Sequence, residues 1–64
     1  MIAEVVELFG GPNDGAVTIA PPGGDGLPVS DLLVPLDGSQ LEFYIRTTRS
    51  ATTRRWRYQF VGAA

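Results

Sequence analysis

The 64-residue chain contains no cysteine, no histidine and no lysine. Without cysteine there is no disulfide and no thiolate metal site, and without histidine the commonest nitrogen ligand is missing too. The same absences remove the usual nucleophile and base pairs, which draw chiefly on these residue types. Of the carboxylates, Glu4 and Glu7 are the nearest in sequence, but on a strand two positions three apart point to opposite faces. The sequence therefore predicts no enzymatic activity, no cofactor and no metal; Tyr44, Tyr58 and the serines read as packing and turn residues.

Long apolar runs are missing as well. Nothing approaches the roughly twenty apolar residues that cross a bilayer, and the N-terminus lacks the basic start and apolar stretch of a secretory signal. The expectation is a soluble protein made in a cytoplasm, with no membrane association. The lack of cysteine agrees with a reducing compartment.

Length limits the core. A chain this short buries only about 60% of the surface its unfolded form exposes. An ordering cost of about 1.5 kcal/mol per residue nearly cancels apolar burial at about 25 cal/mol per Å². Residues 1–64 are read as a single β domain that needs tight packing or a partner, since association stabilises a fold by mass action.

The net charge of −2 hides a segregation: all seven acids lie within residues 1–42, and the five bases are Arg46, Arg49, Arg54, Arg55 and Arg57. Arginine favours bidentate contact with carboxylate or phosphate. Two readings stay open, ion pairs between the two halves of the chain or an interaction patch.

Strand and turn signals dominate the N-terminal half. Ile2 to Phe9 is rich in β-branched and aromatic residues, too short for a good helix, and stops at Gly10. Pro12-Asn13-Asp14-Gly15 supplies fixed φ, backbone-bonding side chains and a position free to take positive φ. It predicts a four-residue hairpin loop on a type I turn, closing Gly11 onto Ala16. A phosphate-binding glycine loop needs a helix after it. The short Ala16–Ala20 run, ended by Pro21-Pro22, denies one.

Residues 21–28 read as a loop. Leu32, Val34 and Leu36 then share one side of a third strand that Pro35 confines to an edge, with a helical turn over Val29–Leu33 as the alternative. Asp37-Gly38-Ser39 is the next turn.

The C-terminal part alternates. Leu41, Phe43, Ile45 and Thr47 share one face and Glu42, Tyr44, Arg46 and Thr48 the other; Trp56, Tyr58 and Phe60 oppose Arg55, Arg57, Gln59 and Val61. A turn over Arg49–Thr52 would pair Ile45 with Trp56, Phe43 with Tyr58 and Leu41 with Phe60, all facing the core. The outer face would then carry Tyr44 by Arg57 and Arg46 beside Arg55. Like charges set opposite call for an acidic partner from the N-terminal half or another molecule.

Arg-rich strands with interleaved aromatics also suggest single-strand nucleic-acid binding. Here the aromatics fall opposite the arginines, leaving only Tyr44 on their face, and the chain is acidic overall. Nucleic acid is not the expected partner. Strand one is apolar on both faces, with Val5 and Phe9 opposite Ile2, Val6 and Leu8. Such a strand is buried twice over in a small barrel or half buried against a partner.

The stretch VELFGGPNDG at residues 6–15, followed by a Pro/Gly-rich loop and by FYIR and RRWRYQF at the C-terminal end, resembles small proteins of tailed phages of actinobacteria and other bacteria. The likeness covers about half the chain. It implies a virion component assembled in the host cytoplasm and located on the capsid surface. The combined expectation is an all-β fold, a small antiparallel open barrel or sandwich of about five strands built from hairpins. Its expected role is a minor capsid (decoration or cement) protein that binds the major capsid protein by adhesion, with a homo-oligomer on the shell as a further partner. The rival readings are a small nucleic-acid-binding or regulatory phage protein and a head-tail or tail accessory subunit. The expected interface is Val5, Phe9, Pro21, Pro22, Leu27, Pro28, Tyr44, Arg46, Arg49, Arg54, Arg55 and Arg57.

Overall fold

A computed structural model describes residues 2–35, 38 and 40–63. Five strands, β1 (Glu4–Phe9), β2 (Val17–Ala20), β3 (Asp31–Pro35), β4 (Leu41–Arg49) and β5 (Trp56–Ala63), form one sheet in the order β2-β1-β5-β4-β3. No helix occurs among the described residues. The sheet curls until it is nearly closed into a barrel, in line with the all-β expectation. Three pairings are antiparallel, but β1 and β5 run parallel, Glu7 beside Arg57 and Phe9 beside Gln59. The first and last strands thus meet in the middle of the sheet, a contact that no local sequence signal announces.

Each strand contributes to one inner face. Val6 and Leu8 of β1, Ala20 of β2, Leu32 of β3, Tyr44 of β4 and Tyr58 of β5 form the buried core. Val29, Val34, Trp56 and Phe60 pack around it. The two tyrosine rings are the largest of the fully buried side chains.

The GGPNDG turn joins β1 to β2. Gly15 has φ 87°, as its place in the turn requires. The Asp14 amide donates to the Gly11 carbonyl, and the Gly10 amide donates to the Asp14 carboxylate at 2.6 Å. The loop closes on Leu8 rather than Gly11: the Leu8 amide donates to the Ala16 carbonyl at 2.9 Å, and the Gly15 amide donates to the Leu8 carbonyl at 2.8 Å. Gly11 lies so close to the Phe60 ring that a Cβ there would stand 2.6 Å from it. The turn is thereby seated against the side of the core.

Residues 21–30 carry the chain from β2 to β3. The Val29 amide donates to the Pro21 carbonyl, and Pro22 pairs with Pro28, so this loop draws the two edge strands together at one end. The following segment is a strand, Asp31–Pro35, with Leu32 and Val34 inward, and not a helical turn. The expected inward position of Leu36 and the turn at Asp37-Gly38-Ser39 involve Leu36, Asp37 and Ser39, which lie outside the described residues.

The β4–β5 register differs from the one the alternation predicts. Tyr58 pairs with Arg46, not Phe43, and Phe60 with Tyr44, not Leu41, a shift of three residues. An odd shift turns a strand over. Glu42, Tyr44 and Arg46 therefore face inward, and Leu41, Phe43 and Ile45 face out. The cause is a longer connection: the Ser50 amide donates to the Arg55 carbonyl, Arg54 takes φ 65°, and register irregularities interrupt the ladder between Arg46 and Arg49 and between Phe43 and Tyr44.

Candidate interaction face

Turning β4 over brings its polar side chains into the barrel, where each finds a partner. Glu42 is fully buried; its Oε1 accepts from Asn13 Nδ2 at 2.7 Å and from the Tyr44 hydroxyl at 2.9 Å. Asn13 belongs to the GGPNDG turn, so this pair ties the turn to β4. Burial, reinforced by the hydrogen bond to Glu42 and its charge, pushes the Tyr44 phenol up to about 12. Burial likewise raises the Tyr58 phenol, whose hydroxyl donates to the Val29 carbonyl.

At the opposite end of β4, Arg46 runs along the inner face and donates to the Pro28 carbonyl. Its guanidinium lies 5.2 Å from the Trp56 ring centre, and that of Arg49 lies 5.3 Å from the same ring. Each has an acid beside it, Asp25 at 3.8 Å from Arg46 and Glu4 at 3.7 Å from Arg49. Arg55 stands 4.0 Å from Glu7, and Arg57 covers the Phe9 ring at 5.3 Å. Among the described residues, all three ion pairs join an acid of the N-terminal half to a base of the C-terminal half, as the segregated charge allows. The Arg49–Glu4 pair, exposed on both sides, holds geometry more than it stabilises. Trp56 is thus partly buried with two guanidinium groups against its ring.

Among the residues expected at an interface, Tyr44 and Pro28 are buried and are corrected to core positions. Arg46 is also corrected, from the outer to the inner face, because the register shift turned it inward. Val5, Pro21, Pro22, Leu27, Arg54, Arg55 and Arg57 are exposed, while Phe9 is half-buried beneath Arg57. Arg49 is exposed at the barrel mouth against Trp56 and Glu4.

The outer face of β3, β4 and β5 is the larger finding. Leu33 pairs with Phe43, Pro35 with Leu41, and Phe43 with Gly62 next to Val61. With Ile45, these side chains make a continuous apolar surface, and Leu33, Ile45 and Val61 are each about half exposed. Beyond β5, Val5 opposite Ile19 and the exposed Val17 form a smaller apolar area. Contiguous exposed apolar side chains, unlike single ones, call for a physical account. Sequence reading missed Leu33, Leu41, Phe43, Ile45 and Val61 because their alternation alone assigned three of them to the core. The available signal was the opposite set: Glu42 and Tyr44, two apart on a strand, are an acceptor and a donor on one face.

Among the described residues no group of three or more carboxylates is close enough to hold a metal ion, and no helix is long and apolar enough to cross a membrane. No curated protein and no solved structure matches the chain. A family model, described as Domain of unknown function (DUF8847), matches residues 4–62, from the start of β1 almost to the end of β5, and the chain belongs to this family.

Proposed function

We propose that this protein is an adhesive structural subunit, a minor capsid (decoration or cement) protein of a tailed phage that holds to the major capsid protein. The observation that supports the reading is the exposed apolar surface of Leu33, Leu41, Phe43, Ile45 and Val61 on three adjacent strands. Burying such a surface against a neighbour releases about 25 cal/mol for each Å² removed from water. A sheet presents it with little ordering of loops or side chains on binding, which lowers one of the costs set against that gain. The family resemblance of the GGPNDG turn and the Arg-rich end supplies the virion setting.

In this reading the apolar face makes the contact, and the exposed Arg54 and Arg57, neither with an acid beside it among the described residues, orient the docking. The internal pairing of Arg46 and Arg49 leaves them to the fold. The experiment is to purify virions from a phage that encodes the chain and count its copies by quantitative mass spectrometry. Copies in a fixed ratio to the major capsid protein, numbering in the hundreds, support decoration. A handful of copies would move the protein to the head-tail or tail apparatus, and absence from the virion would reject the proposal.

A further inference from the structure

β3 is bonded on one side only, to β4. The Arg46 amide donates to the Ser30 carbonyl at 2.9 Å, and the ladder continues unbroken through Leu32 with Tyr44 and Val34 with Glu42. Antiparallel ladders alternate hydrogen-bonded with non-hydrogen-bonded pairs. Ser30, Leu32 and Val34 therefore spend their backbone groups on β4, whereas Asp31, Leu33 and Pro35 turn theirs to the free edge. Pro35, which has no N–H, occupies a position from which the sheet requires none. The edge thus offers amide donors at Asp31 and Leu33 and carbonyl acceptors at Asp31, Leu33 and Pro35.

The side chains along this edge are graded. Beside Leu33 lies a hollow of about 450 Å³ whose apolar walls include Phe43, Ile45 and Val61. At the Asp31 end a second hollow of about 350 Å³ is bordered by Asp25, Ser30 and Asp31. Asp25 has Arg46 beside it; Asp31 has no ion-pair partner among the described residues. One end of the edge is acidic and the rest apolar.

We propose that β3 receives an extended segment of a partner protein as an added antiparallel strand, with an apolar residue against Leu33 and an arginine or lysine two residues later against Asp31. Main-chain bonds to Asp31 and Leu33 supply attachment, and the alternate side chains supply selectivity. A second copy of this chain fits the same edge less well. Two β3 strands related by a two-fold axis at Leu33 set Asp31 opposite Pro35, leaving both carboxylates without a cation. The inference rests on the adhesive reading only in taking the occupant to be a protein.

The test uses the folded protein labelled with ¹⁵N and a blocked peptide, Thr-Val-Leu-Val-Arg-Thr, with no shell present. Failure here is therefore separable from failure of the virion experiment. At saturating peptide the Asp31 and Leu33 amides should exchange at least about tenfold more slowly, with Leu32 and Val34 nearly unchanged, as expected for newly bonded edge amides. The peptide with glutamate in place of arginine should bind about five- to tenfold more weakly, and Asp31→Lys should invert that preference. Leu33→Pro should keep the sheet, since that amide faces away from β4, and lose the peptide. Should this variant fail to fold, the exchange measurement on the parent decides alone. Unprotected Asp31 and Leu33 amides, or equal binding of the two peptides, would overturn the proposal. So would protection that grows with protein concentration alone, which would give the edge to a second copy.

Discussion

Phe43 and Tyr44 are adjacent aromatic residues on β4, and exchanging which of them faces inward changes the whole account of the surface. Tyr44 is 1% exposed, meets Phe60 edge-on at 5.7 Å between ring centres, and donates to the buried Glu42 carboxylate. Replacing it by alanine removes a large buried aromatic, a change that costs about 3–5 kcal/mol. It also takes one of two donors from Glu42 Oε1, whose companion Oε2 already has none. A domain of this size has only about 3–10 kcal/mol in total, so Tyr44→Ala should leave it largely unfolded. Phe43 is 38% exposed and lies on the outer surface, with no closed cavity to leave behind. Its truncation should cost about 1–2 kcal/mol, the share of a phenylalanine's transfer energy that its partial burial represents. Urea denaturation followed by Trp56 fluorescence gives the Phe43→Ala value and shows whether Tyr44→Ala keeps a folded baseline at all. If Phe43→Ala proves the more destabilising of the two, β4 faces the other way, and the apolar outer face does not exist.

Gly11 and Gly15 both hold positive φ, but a Cβ at Gly15 meets nothing whereas one at Gly11 enters the Phe60 ring; Gly15→Val should cost about 1 kcal/mol and Gly11→Ala about 2 kcal/mol or more, compared by thermal melting. A Gly11→Ala protein that melts no lower than Gly15→Val would contradict this. Tyr44 should contribute fully to stability below pH 10, the ordinary phenol value, and lose that contribution as pH rises through about 12, because folding favours its neutral form. Phenolate absorbance should accordingly stay low at pH 10 and rise together with unfolding. Arg46→Ala strands the buried Pro28 carbonyl and should cost about 1–3 kcal/mol. Arg57→Ala, at an exposed site, should stay within about 1 kcal/mol of the parent by urea titration.

The number of strands and the chemistry of the first turn were legible because both rest on local rules: β-branched runs bounded by Gly and Pro, and a Gly where φ must be positive. The two-sided apolar character of β1 was legible too, with Val6 and Leu8 inward and Val5 outward. The facing of β4 was not. Its alternation offers one set that is purely apolar and another, Glu42, Tyr44 and Arg46, that is amphipathic, and hydrophobicity favours burying the first. The barrel buries the second because each polar tip finds a partner, Glu42 for Tyr44 and the Pro28 carbonyl for Arg46, while the stems and rings fill space. That choice was made by the six-residue connection from Ser50 to Arg55 and by the irregular register beyond it, neither of which has a distinctive residue signature. The arginines misled for the same reason: their guanidinium groups count as surface charge in a sequence, yet Arg46 and Arg49 are turned onto Trp56.

The central claim is that the outer face of β3, β4 and β5 is the adhesive. It is tested by the occupancy of purified phage shells by the double variant Phe43→Thr, Val61→Thr, which keeps β-forming residues at two exposed strand positions. The variant should fold, with the far-ultraviolet circular dichroism and cooperative melting of the parent, and, added to bare shells well below saturation, should occupy them at less than about a tenth of the parent level, the loss that roughly 1.4 kcal/mol of binding energy brings. Occupancy equal to that of the parent, by a variant shown to be folded, would contradict the claim.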